Sequence, residues 1–147
     1  MTPKAFKKAF TLVEMLLVVA IISILAAMAI SNFSNASQDT RDVVARQQLA
    51  VVQEAVNHWV NREIGRVTNA GGNGKSVSDV MRQYNNATTT QARFDLFQSY
   101  LDDATRTNLK VDNARTRISS QAMRDVSKYL TLPDWSADSY PKIQLNP

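Results

Sequence analysis

Residues 10–30 form an apolar run whose only polar side chains are Thr11, Glu14 and Ser23, and no charge follows Glu14 until Asp39. A helix of about 20 apolar residues spans the roughly 30 Å hydrocarbon layer of a bilayer. The run therefore predicts one membrane-crossing helix, and it leaves the chain little freedom: such a segment must face lipid or other apolar helices. Lys4, Lys7 and Lys8 precede it, and the next basic residue is Arg41. The excess of cytoplasmic lysine and arginine seen in single-span proteins places residues 1–9 in the cytoplasm and the remainder outside.

A cleaved secretory signal would present the same order of features, with Ala27, Met28 and Ala29 as the small-residue cut site. Glu14 argues against it. A carboxylate in an apolar helix costs a few kcal/mol on insertion scales, and a segment used only for export gains nothing from that cost. An ionisable group held at membrane depth has a function by default, although a simple position near the interface, with the side chain reaching for water, is the bland alternative.

The segment KKAFTLVEMLLVVAIISILAAMAI, residues 7–30, combines a short basic leader, a small residue, Phe-Thr-Leu-Val-Glu and an uninterrupted apolar helix. In all four it resembles the N-terminus of type IV pilins and type II secretion pseudopilins. The resemblance implies cleavage between Ala9 and Phe10 by a prepilin peptidase, N-methylation of Phe10, and retention of the helix as the core of a filament. It further implies an assembly salt bridge between Glu14 of one subunit and the new Phe10 amine of its neighbour. In low dielectric such a pair is far stronger than in water, and breaking it strands a charge. Two features depart from the family pattern: Ala9 stands where glycine is usual, and no proline occurs between Pro3 and Pro133. Ser31, Asn32, Ser34 and Asn35 are weak helix formers in the region where many pilins carry that proline.

Length, charge and cysteine count narrow the rest. The 147 residues leave room for one small domain beyond the membrane segment. The net charge of +4 suggests an acidic partner until the leader is removed, since a product starting at Phe10 carries 14 basic and 13 acidic side chains. With no cysteine, disulfides, thiolate nucleophiles and cysteine-zinc sites are excluded, and packing must hold the domain. Trp59, Trp135, Phe94 and Phe97 are its candidate anchors.

Beyond the apolar run, Ala45, Leu49, Val52, Val56, Val60 and Ile64 recur at steps of four, three, four, four and four, one face of a helix. Val44, Val51, Ala55 and Trp59 widen that face. Arg41, Asp42, Arg46, Gln47, Gln53, Glu54, Asn61 and Arg62 supply a wetter side, and Gly65 is the natural stop. An unbroken helix over residues 10–64 would measure about 80 Å. Residues 69–76 read as a glycine-rich loop; their Gly74-Lys75-Ser76 ending is not a phosphate loop, because the motif needs glycine where Asn69 stands.

Helices are expected over residues 77–84 and 90–104, capped by Ser76 and by Thr88 or Thr89, with Phe94, Phe97, Tyr100, Leu101 and Ala104 on a core face. Residues 109–112 and 115–118 read as extended pieces. A third helix, capped by Ser119 or Ser120, carries Met123, Val126 and Leu130 and stops before Pro133. Residues 142–145 alternate as a final strand that pairs with residues 129–132. The expected fold is therefore α+β and mainly α, a pilin-like lollipop in four parts. Residues 1–9 are a cytoplasmic leader, 10–30 a transmembrane and filament-core helix, 31–65 its amphipathic continuation, and 66–147 a small head of short helices and a minor β-hairpin.

Catalytic chemistry finds no support: His58 is the sole histidine, beside Trp59, and no serine or threonine has a recognisable activating base. No metal or other cofactor is expected. Asp134 and Asp138 are too few and wrongly spaced for a calcium loop and read as solvated turn carboxylates. Arg115, Arg117, Arg124 and Lys128 form a thin basic patch with Asp112 and Asp125 among them, more a solvated face than a nucleic-acid site.

The leading reading is a structural subunit of a type IV pilus or type II secretion pseudopilus. Its expected partners are identical or similar subunits, the prepilin peptidase and an inner-membrane assembly platform, with no small-molecule substrate. It would reside in the bacterial inner membrane and then in a periplasmic or extracellular filament. The rival reading is a minor pilin-like protein whose head serves adhesion or DNA uptake.

Overall fold

The computed structural model describes residues 10–65, 74–112, 114, 116–136 and 139–147, with the backbone alone at residues 31 and 32. One helix, α1 (Leu12–Gly65), runs through the weak helix formers around residue 34 without a break and ends at the expected glycine. The described residues up to Ser37 form one unit, and those from Gln38 onward form a second.

The first unit is the apolar part of α1, and none of its side chains from Phe10 to Ile30 is buried. Phe10 is 75% exposed and Phe33 77% exposed. A helix that is apolar on every side and left exposed by the described residues is suited to lipid or to other copies, not to water.

In the second unit the wide apolar face of α1 covers a single core. Ala45, Val52, Ala55, Val56, Trp59 and Val60 are buried there together with Val80, Tyr84, Phe94, Phe97, Leu109, Ile118, Met123, Leu130, Leu132 and Trp135. All four aromatic anchors expected from the sequence are in it. Helix α2 (Val77–Asn86) begins at Ser76, whose hydroxyl accepts from the Asp79 amide while the Asp79 carboxylate accepts from the Ser76 amide. This reciprocal capping box satisfies two otherwise orphaned donors.

The expected single helix over residues 90–104 is two helices. Helix α3 (Thr90–Phe97), capped by Thr89, passes into a 3-10 turn at Gln98–Tyr100, and the chain then extends at Leu101. Helix α4 (Asp103–Asn108) starts afresh with the Asp102 carboxylate accepting from the Thr105 amide. The break keeps Leu101 in the core and turns Ala104 to solvent.

The third expected helix is also shorter. Helix α5 (Gln121–Asp125), capped by Ser120, carries Met123 alone of its three expected apolar residues. Val126 caps its C-terminus, and Leu130 belongs to a strand.

Four short strands, β1 (Lys110–Asp112), β2 (Arg117–Ser119), β3 (Tyr129–Thr131) and β4 (Gln144–Asn146), form an antiparallel sheet in the order β1-β2-β3-β4. The sheet is larger than a hairpin, and its last pair is the expected one: Leu130 lies opposite Leu145. Ile118 lies opposite Leu130 on the other side. Both are fully buried at the centres of their strands, with flanking residues less so, as the two-residue alternation of a half-covered sheet requires.

Candidate assembly site at the start of the long helix

Helix α1 opens on a second capping box. The Thr11 amide donates to Glu14 Oε2 at 2.9 Å, and the Thr11 hydroxyl donates to the same oxygen at 3.0 Å. The Glu14 amide in turn reaches Thr11 Oγ1 at 3.3 Å. Thr11 thus stands at the N-cap and Glu14 three residues into the helix, where a carboxylate also meets the positive end of the helix dipole. The Thr-x-x-Glu spacing is a legible sequence signal, and the reading from sequence, intent on Glu14 as an intermolecular partner, did not use it.

The third polar side chain of the run is equally self-contained: the Ser23 hydroxyl donates to the Val19 carbonyl at 2.7 Å. Thr11, Glu14 and Ser23 therefore all have partners within their own helix, which is what a polar group needs in hydrocarbon. Glu14 Oε1 accepts no bond among the described residues. One carboxylate oxygen is committed to the cap, and the other is open to a donor from elsewhere.

The model of the prokaryotic N-terminal methylation motif matches residues 4–30, a window that holds this capping box and the exposed apolar helix behind it. The chain carries the type IV pilin and pseudopilin signature. Neither a curated protein nor a solved structure matches the chain. The match concerns the N-terminal segment alone, residues 4–30. It agrees, together with a helix long and apolar enough to cross a bilayer, with membrane anchoring. Ala9, Lys4, Lys7 and Lys8 lie outside the described residues, as do Arg115 and Asp138.

The remaining candidates have structural surroundings. His58 is on the outer side of α1, 3.5 Å from Glu54, with both side chains mostly exposed. Asp134 pairs with Arg93. Of the Gly-Lys-Ser segment, Ser76 caps α2, and Lys75 Nζ bonds Glu63 at 2.5 Å and Gln83 at 2.6 Å. These bonds tie the start of α2 to the end of α1.

Asp42 and Gln53, assigned to the wet side of α1, bond the head, and so does Gln48. Asp42 receives Lys128, and Gln48 accepts from the Ser120 hydroxyl at 2.6 Å. Gln53 donates to the Pro141 carbonyl at 2.9 Å and accepts from the Ile143 amide at 2.8 Å. Periodicity sorts residues by polarity, and it does not reveal that a polar side chain will find a backbone partner some ninety residues on.

Proposed function

We propose that this chain is a structural, non-enzymatic subunit of a type IV pilus or type II secretion pseudopilus. Its leader is removed between Ala9 and Phe10 on the cytoplasmic side of the inner membrane, and Phe10 is then N-methylated. The mature helix packs against identical or similar helices, drawn from the membrane by an assembly platform into a periplasmic or extracellular filament. The carrying observation is the lone carboxylate, Glu14, at the head of an apolar helix that its own chain leaves uncovered. Cleavage creates an ammonium at Phe10, and an ammonium is the donor that an open Glu14 Oε1 would take.

The capping box gives this pairing a physical route. In the free subunit Thr11 supplies two donors to Glu14 Oε2, so the carboxylate is partly compensated while no neighbour is present. In the filament the Phe10 amine of an adjacent subunit approaches Oε1 without displacing the cap. A charge pair formed at one depth and one step of rotation fixes axial register, because misregistered subunits leave both charges buried and alone.

Mass spectrometry of the membrane-extracted protein tests the processing: a methylated Phe10 at the N-terminus is expected, and a chain starting at Met1 or Ile30 overturns it. Glu14→Val tests the pairing. The variant should insert and be processed as usual but be incorporated into filaments at least about tenfold less well, the loss expected for stranding a buried charge at a cost of several kcal/mol. Normal incorporation measured by filament shearing and immunoblotting sinks the ion-pair argument.

A further inference from the structure

Among the described residues of the second unit, aspartates meet five of the eight guanidinium groups. Arg41 pairs with Asp125, Arg46 with Asp42, Arg82 with Asp79, Arg93 with Asp134 and Arg106 with Asp103. Arg117 and Arg124 pair with no carboxylate among the described residues, and both line the same open groove of about 420 Å³. Ser119, Ser127, Lys128 and Asp112 line it as well, with Tyr129 and Pro147 completing the wall.

The donors in this groove are only loosely committed. The Arg117 guanidinium stacks on the Tyr129 ring, 3.9 Å from its centroid. Stacking occupies the face of the planar group and leaves its N–H edge for a ligand. Arg124 donates only to neutral oxygens, Gln121 Oε1 at 2.9 Å and Ser119 Oγ at 3.4 Å, so its charge stays uncompensated. Lys128 shares the single Asp42 carboxylate with Arg46, which leaves that trio net positive. Asp112 is an opposing charge in the wall: it lies opposite Arg117 in the register of β1 and β2, and its Oδ1 accepts from the Ala114 amide.

We propose that this groove binds a phosphate-type oxyanion carried on a larger molecule. Two guanidinium forks, an ammonium and the Ser119 and Ser127 hydroxyls make a site rich in donors, which calls for several acceptor oxygens and more than one negative charge. A carboxylate, with two oxygens and one charge, satisfies a single fork; a phosphate monoester satisfies both. The groove is partly open to solvent, so the substituent of the ester can extend out of it. A soluble phosphate ester and the phosphate of a lipid headgroup present the same chemistry.

The test uses the full chain in zwitterionic micelles at low salt, with pyrophosphate and methyl phosphate as soluble probes and arginine side-chain N–H resonances as the readout. Saturable shifts are expected at Arg117 and Arg124 and not at Arg82 or Arg106. Arg117→Gln and Arg124→Gln should each weaken binding about tenfold, the scale of losing one charge-assisted bidentate contact, while Arg82→Gln leaves it unchanged. Arg124→Gln preserves the stack on Tyr129, so its loss of binding cannot be blamed on a disturbed β3. In nanodiscs, shifts that appear with phosphatidic acid but not with phosphatidylcholine assign the phosphate to lipid; shifts with the soluble probes alone assign it to a soluble ester. Non-saturating shifts spread over all arginines, or binding to an oligonucleotide without binding to any monoester probe, overturn the proposal.

Discussion

Tyr84 is fully enclosed in the core, between Trp59 and Trp135 and under the Arg93 guanidinium. Its hydroxyl has no hydrogen-bond partner among the described residues. Burial pushes its pKa up to about 12, the positive charge of Arg93 opposing and Asp134 assisting. An acid whose proton is held more tightly in the folded state loses stability as pH rises from the unfolded value near 10 toward 12, because only the unfolded chain releases the proton there. Tyr84→Phe keeps the ring contacts and removes a desolvated, unbonded oxygen. It is expected to raise stability by about 1 kcal/mol and to flatten the alkaline loss, both measured by urea unfolding between pH 8 and 11. Arg93 shows the reverse situation. Its side chain is 11% exposed, donates to the Ala87 and Leu132 carbonyls at 2.8 and 2.5 Å, and pairs with Asp134. Arg93→Ala strands these acceptors and should cost about 3 kcal/mol in the same experiment, a loss under 1 kcal/mol contradicting the clasp. Sequence placed Trp59, Phe94 and Trp135 in the core correctly from their spacing and type. It had no means of placing Arg93 there, since an arginine is buried only where the surrounding carbonyls happen to converge.

Helix α5 ends in a Schellman motif: the Lys128 amide bonds the Met123 carbonyl at 2.8 Å, and the Ser127 amide bonds that of Arg124 at 3.0 Å. The residue that must turn left-handed is Ser127, at φ 56°. Glycine adopts this conformation without a Cβ penalty, which for other residues is about 1–2 kcal/mol. Part of the gain from Ser127→Gly is offset by the freer unfolded chain, so stabilisation of about 0.5 kcal/mol is expected in thermal melts. Destabilisation by the same amount would show that the Ser127 side chain contributes more than the strain costs. Other element ends were legible for the same local reasons, with Ser76, Thr89 and Ser120 all capping where expected. The break at Leu101 was not. Phe94, Phe97, Leu101 and Ala104 fit helical spacing across the break, while Asp102, three residues before the Thr105 amide it receives, is the local signal for a new helix start. The strands are three residues each, and alternation located the last of them while leaving the four-stranded order to the tertiary structure.

Within the second unit, α1 is bound by ion pairs and amide bonds to α5 and to the segments that flank it and the strands, as well as by the core. Lys128, joined by Arg46, holds the Asp42 carboxyl below its ordinary value of 3.8; the caps at Asp79 and Asp102 are lowered as well, chiefly by Ser76 and Thr105. Carboxylates with depressed folded values contribute stability above the unfolded pKa and lose it as pH falls through the folded one. The melting temperature should therefore be flat between pH 5 and 7 and drop below about pH 4, and Asp42→Asn should make that drop shallower. An identical acid profile in the variant would rule out a contribution from the Asp42 pair. Most of the whole-molecule plan was readable from the chain alone. The apolar run with its single carboxylate, the long helix, the helix-rich head and the methylation signature all depend on interactions within a few turns, where residue type and spacing decide the outcome. The tertiary structure alone decided which polar side chains of α1 meet the head and how the sheet assembles. It also decided that Arg117 and Arg124 share one groove with no carboxylate partner among the described residues. The contacts between α1 and the head join residues far apart in sequence, and their energies exist only once the chain has folded back on itself.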